Sequence, residues 1–509
     1  MSYDLEEKTI AELQAAMQAG HLTAQTLVQA YLARIEAIDQ AGPHLRSIIE
    51  LNPEALAIAK ALDAEQADAG PRGPLHGIPI LLKDNIDTDD RMLTTAGSLA
   101  MMSSRPTQDA TVALKLREAG AVILGKTNLS EWANFRSTNS TSGWSARGGQ
   151  TLNPYLLTRN PCGSSSGSAV AISANLAAAS LGTETDGSIV CPASINGVVG
   201  IKPTVGLTSR AGVIPIAHSQ DTVGPMARTV ADAALVLGAL TGVDARDPAT
   251  AASEGKFLND YTPFLNPDGL RGARIGVPRE VYFGYNAEVD RVIEAAIETM
   301  RAAGAEIIDP ADIPTAQEIR DGNTELEVLL YEFKADLNQY LAGRVANLDY
   351  PDQPIPRTLA DLIVFNEANA DTEMPHFQQE IFEAAQAKGP LTETAYLEAL
   401  ELNHRFSRQE GIDAVMAEYK LDALIAPTGP PAWPINQNRG DGYEGSSSSP
   451  AAMAGYPLIT VPAGFVVSLP VGITFMGQAF SEATLIKLAY AFEQATKARH
   501  PPEYRATSD

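Results

Sequence analysis

The chain of 509 residues contains only two cysteines, Cys162 and Cys191, only seven histidines, and aromatic residues at 6%. Two cysteines cannot build a disulfide framework or a four-ligand zinc site, so both are expected as free thiols and no metal is expected. Basic side chains are scarce too: 37 Lys and Arg against 62 Asp and Glu leave a formal charge of −25. A nucleic-acid partner needs clustered cations to neutralise phosphates, and no segment supplies them. No apolar run reaches the ~20 residues of a membrane helix, so no membrane partner is expected either. The opening MSYDLEEKTIAELQ is acidic and lacks the basic and apolar regions of a secretory leader. That predicts a cytoplasmic protein, or a secreted or periplasmic one if a leader has been removed.

With 45% hydrophobic and 19% charged residues, the composition is that of a globular enzyme. The first 62 residues read as helices. Thr9 and Glu12 form a capping box ahead of Ile10, Leu13 and Met17, with Gly20 as a stop. A second helical face, Leu27, Tyr31, Ile35 and Ile38, runs up to the Gly42-Pro43 turn. Strands are expected at 76–82, 121–125, 198–203, 273–277, 305–308, 421–426 and 458–461. Helices are expected at 109–120 and at 168–181, where small residues suit close packing on a sheet. A long polar loop is expected at 134–161, and the 310–420 stretch reads as mainly helical. Strand and helix alternate from Ile78 to Val461 without a composition-shifted linker. The expected fold class is therefore α/β, a single large domain over 1–509 with a central mixed twisted β-sheet covered by helices.

Two glycine-serine turns carry the candidate chemistry, Gly163-Ser-Ser-Ser-Gly167 and Asp186-Gly-Ser188. A serine hydroxyl attacks only when a base removes its proton. Histidine is the usual base, but five of the seven lie in helical or terminal segments. His76 and His218 flank candidate site segments, and both read as turn or packing residues. Ser165 is central in a G-x-S-x-G pattern, yet Arg159-Asn-Pro161 precedes it where a nucleophile elbow needs a buried strand. Gly182-Thr-Glu-Thr-Asp-Gly187 has the glycine spacing of a phosphate loop. It lacks the lysine that must follow, and it holds two acids that repel phosphate. The remaining base is Lys83, which ends the apolar run Ile78-Pro-Ile-Leu-Leu82, a setting able to depress its pKa.

GIPILLKDNIDT, GSSSGSA and GTETDGSIVCPAS resemble, in order and spacing, the three signature segments of the amidase signature family. GAVILGKTN, GVVGIKPTVG, DTVGPMARTVADAA and GYPLITVPAGF are similar to that family too, so the resemblance spans nearly the whole chain. It implies a cofactor-free amidase with a Ser-Ser-Lys triad. Ser188 matches the nucleophile, Ser164 the bridging serine after a cis peptide bond, and Lys83 the base. The amides of Thr185, Asp186, Gly187 and Ser188 match the oxyanion hole. Ser165 and Glu184 stand behind these groups as supporting residues. The 70–240 stretch is then the signature core, and 310–420 a substrate-side region.

The chain departs from the family pattern at Ser166, at Asp186 where glycine is common, and at Val190 where arginine is common. These departures point away from the glutaminase component of the tRNA-dependent amidotransferase. GTETDGSIVCP together with YEFKADLNQYL resembles the bacterial peptide amidases, which remove a C-terminal amide from peptides. Alternatives are an aryl acylamidase or broad amide and ester hydrolase, a partner-dependent amidotransferase component, and an esterase using Ser165. The expected partner is a peptide or small-molecule amide substrate.

Overall fold

The computed structural model describes residues 4–507. The first three residues of the opening segment lie outside that range. Eleven strands form one sheet. Its order is Ile48–Leu51, Val122–Thr127, Pro79–Lys83, Ala179–Glu184, Thr222–Ala227, Val199–Lys202, Leu458–Val466, Leu469–Met476, Ala423–Pro427, Arg274–Gly276 and Glu306–Ile308. Pairing is parallel where Pro79–Lys83 lies between Val122–Thr127 and Ala179–Glu184, and again where Arg274–Gly276 lies between its neighbours. The remaining contacts are antiparallel. This is the expected mixed α/β sheet, with helices over it.

Every residue of the Pro79–Lys83, Val122–Thr127 and Ala179–Glu184 strands is buried. Burial on both faces explains their continuous apolar character, since no face alternates toward water. Parallel strands here need crossover connections. The Thr111–Glu118 helix provides one, and the short Ser166–Ser173 helix packs directly on the Ala179–Glu184 strand. All eight residues of the latter helix are buried, and its small side chains permit the close approach.

Three expectations need correction. The 168–181 stretch is not one helix: the helix stops at Ser173, and Ala179–Glu184 is a central strand. Its sequence ASLGTE has little β-branched content, so pairing on both sides decides its conformation rather than propensity. The N-terminal 62 residues are not all helical, because Ile48–Leu51 adds an antiparallel edge strand beside Val122–Thr127. Cys162 and Cys191 are not free thiols; they form a disulfide. Both flank serine turns that the fold brings face to face, a proximity invisible at a sequence separation of 29.

The N-terminal capping box is present, with Thr9 accepting from the Glu12 amide and Glu12 accepting from the Thr9 amide. Between 316 and 419 the chain is mainly helical, led by the Thr324–Ala342 helix. No helix among the described residues is long and apolar enough to cross a membrane.

Candidate active site

Lys83 is the last residue of its strand and is fully buried. Its Nζ lies 2.7 Å from Ser164 Oγ, 2.9 Å from Thr183 Oγ1 and 3.3 Å from the Thr183 carbonyl oxygen. Thr183 belongs to the adjacent parallel strand, so the sheet itself sets this contact. Burial is the largest influence on Lys83 and lowers its pKa to about 7, against the opposing pull of Asp221 and Glu184. Lys83 Nζ donates in all three contacts, to Ser164 Oγ and to the hydroxyl and carbonyl of Thr183. Asn85 Nδ2 donates to Thr183 Oγ1 at 3.0 Å and holds that acceptor in place.

Ser164 follows a cis peptide bond from Gly163. A Cβ at position 163 would collide with Ser130 Oγ, so only glycine fits there. The Ser130 amide donates to the Ser164 carbonyl at 3.1 Å. Ser165, in contrast, is turned into the sheet. Its Oγ donates to the Thr183 carbonyl at 3.0 Å and accepts from the Thr183 amide at 3.2 Å, and its own amide donates to the Ser188 carbonyl at 3.1 Å. A hydroxyl spent on strand backbone cannot face a substrate, which removes the structural basis for an esterase elbow at Ser165.

Ser188 sits on the turn after the Ala179–Glu184 strand, just ahead of the Val190–Ile195 helix. Gly187 adopts φ +77°, a conformation strained for any side chain. The buried Glu184 carboxylate braces this turn. Oε1 accepts from the Gly187 amide at 2.9 Å, and Oε2 accepts from the amides of Ile189 at 2.8 Å and Val190 at 3.0 Å. Gly187 is therefore not a free donor here, contrary to expectation. The amides of Asp186 and Ser188 have no hydrogen-bond acceptor among the described residues. Thr185 Oγ1 donates to Asp221 at 2.6 Å, and Asp221 also accepts from the amides of Ile216 and Ala217. Burial raises Asp221 to about 6.

Ser164 and Ser188 line one small cavity together with Thr183, Thr185 and Asp221. No direct hydrogen bond joins the Ser164 and Ser188 hydroxyls in this structure. Catalytic hydrogen bonds often tighten only when substrate is bound. Ser188 also opens onto a cleft of about 500 Å³ whose walls include Phe135, Ile216, Leu329, Ile381, Trp433 and Tyr443. The disulfide of Cys162 and Cys191 lines this cleft and links the two serine turns covalently.

Asn85, Thr183 and Asp221 lie inside the quoted segments without having been assigned a role there, and Ser130 lies outside them. His76 is buried, with Nε2 3.0 Å from the Leu62 carbonyl, and His218 pairs with Asp336 at 2.8 Å. Neither touches the serines.

Residues 26–486 match the family model described as Amidase. Native peptide amidase from Stenotrophomonas maltophilia, known by X-ray structure, is 53% identical. Its TM-score is 0.92, with 98% of this chain and 99% of that chain covered. A probable amidase of Arabidopsis thaliana is 44% identical over 99% of this chain and 93% of its own length. An amidase family protein from Bacillus anthracis, known by crystal structure, is 35% identical with a TM-score of 0.87, and 98% of this chain and 93% of that chain are covered. The chain belongs to the amidase signature family and is an amidohydrolase that acts on amides.

Proposed function

We propose that this amidohydrolase removes the C-terminal amide of peptides through an acyl-enzyme on Ser188. The observation that carries the reading is the buried Lys83 Nζ at 2.7 Å from Ser164 Oγ, on the wall of the cavity that Ser188 shares. Neutral Lys83 takes the Ser164 proton, and Ser164 takes the Ser188 proton. Ser188 Oγ then bonds to the amide carbon. The negative charge on the carbonyl oxygen is met by the free amides of Asp186 and Ser188. As the C–N bond breaks, the relay returns the proton and ammonia departs. Water, losing its proton to the same relay, attacks the acyl carbon and frees the acid.

Two features favour a peptide carboxamide. The cleft walls mix aromatic and aliphatic side chains with Ser137, Thr138, Ser140 and Ser142, a surface suited to peptide side chains and backbone. No Lys, Arg or His lines the cleft among the described residues, and its charged groups are Asp186 and Asp441. A substrate with a free α-carboxylate, such as glutamine, would find no counter-ion there. The 53% identity to a peptide amidase supports the same reading.

The test is a panel of a peptide carboxamide, an aryl anilide and free glutamine, assayed for ammonia or arylamine release. The carboxamide is expected to be turned over fastest by at least tenfold in kcat/KM, about 1.4 kcal/mol of transition-state preference. Equal or higher rates on the anilide would replace the peptide reading with an aryl acylamidase.

A further inference from the structure

Asp186, which stands where the family pattern has glycine, lies on the oxyanion turn with one carboxylate oxygen unexplained. Its Oδ2 accepts from Ser449 Oγ at 2.7 Å, whereas its Oδ1 is buried and has no N–H or O–H donor. The group at hydrogen-bonding range is a second carboxyl, that of Glu325 in the first turn of the Thr324–Ala342 helix. Glu325 Oε1 accepts from Gln220 Nε2 at 2.8 Å, and the same nitrogen reaches the Thr185 carbonyl at 3.4 Å. Glu325 is thereby tied to both sides of the turn that precedes Ser188. Two neighbouring carboxyls, both half-buried, cannot both be ionised without repulsion, and a shared proton turns that repulsion into a hydrogen bond.

We propose that Glu325 is a positioning residue for the oxyanion turn: as a carboxylic acid it donates to Asp186 Oδ1 and fixes the backbone of Asp186, Gly187 and Ser188. The inference rests on the acyl-enzyme reading for its catalytic consequence, but not for the protonation of the pair. Burial is the largest influence on Glu325 and Asp186 the next, and together they push its pKa up to about 8. The helix N-terminus pulls the other way, by at most about 2 kcal/mol.

Other groups face the pair from each neighbouring element. Glu184 and Lys202 come from the sheet, Tyr282 from the segment before the Ala287–Ala302 helix, and Tyr443 from the cleft loop. Asp221 stands beyond Thr185. On the same helix Glu327 is paired with Lys388 at 2.6 Å. The phenols of Tyr282 and Tyr443 are pushed up by burial, and Glu184 is raised likewise. Lys202 alone shares the window, lowered by burial to about 8. It is unchanged in a Glu325 variant, so substitution at Glu325 separates the two.

The experiment compares wild type, Glu325→Gln and Glu325→Ala by pH profile of kcat and by infrared spectroscopy of the protein. Glutamine supplies an N–H to Asp186 without titrating. Wild-type kcat should fall above pH 8, and Glu325→Gln should keep kcat within about threefold of wild type near pH 7 and lack that fall. Glu325→Ala should lower kcat roughly 10- to 100-fold at unchanged KM, the scale expected when reacting groups shift. Wild type at pH 7 should show a carboxylic-acid C=O band that is missing from Glu325→Gln. An alkaline limb that survives in Glu325→Gln overturns the proposal, as does equal damage by both substitutions. Absence of that band overturns it even if no amide proves to be a substrate.

Discussion

The Ser165 amide donates to the Ser188 carbonyl at 3.1 Å, joining the two serine turns through backbone while the Ser165 side chain is locked onto Thr183. One serine turn thus serves as the seat of the other. Ser165→Ala should lower kcat by only about tenfold or less, through lost packing order, and should lower stability by about 1–3 kcal/mol from the unpaired Thr183 backbone groups. Kinetics with denaturant unfolding checks both. Complete loss of activity with normal stability would instead mark Ser165 as a nucleophile.

The acid limb of the pH profile is assigned to Lys83. The base works only when neutral, so kcat/KM should rise about tenfold per pH unit up to about pH 7, tracking the lysine lowered by burial. Lys83→Ala should abolish that limb and lower kcat/KM by roughly 10²- to 10⁴-fold, the usual worth of a general base. Unchanged activity in Lys83→Ala would exclude the relay.

Breaking the Cys162–Cys191 disulfide should loosen both turns at once. Pairing residues 29 apart restricts the unfolded chain, and its loss should lower stability by about 3 kcal/mol. The Cys162→Ser, Cys191→Ser double variant, unfolded beside wild type, measures this. Activity should fall with it, since both cysteines line the cleft.

Glu184 braces three amides around Ser188. Glu184→Gln turns one acceptor into a donor that faces N–H groups, and should lower kcat roughly 10- to 100-fold with little change in KM. A matched rise in KM at constant kcat would place Glu184 in substrate binding instead.

Much of the site was legible from residue order. Lys83, Ser164 and Ser188 were assigned their roles through the resemblance of three short segments, and the structure sets Lys83 and Ser164 2.7 Å apart. Thr183 was not legible, because its partners Lys83 and Asn85 lie about 100 residues away and only the parallel pairing of their strands makes them neighbours. Glu325 was equally hidden, as one acid among many on a helix. In the fold, the Thr222–Ala227 strand escaped because TVGPMA carries glycine and proline, which read as a turn. Leu458–Val466 was found for its first half alone; its outer half is only partly buried and pairs as a hairpin with Leu469–Met476.

The central claim is an acyl-enzyme on Ser188. Wild type quenched with acid during turnover of a peptide carboxamide, then digested and mapped by mass spectrometry, tests it most directly. The expected result is an acyl adduct on Ser188 that is absent from Ser188→Ala and from Lys83→Ala. An adduct on Ser165 or on Ser164, or full turnover by Ser188→Ala, would contradict it.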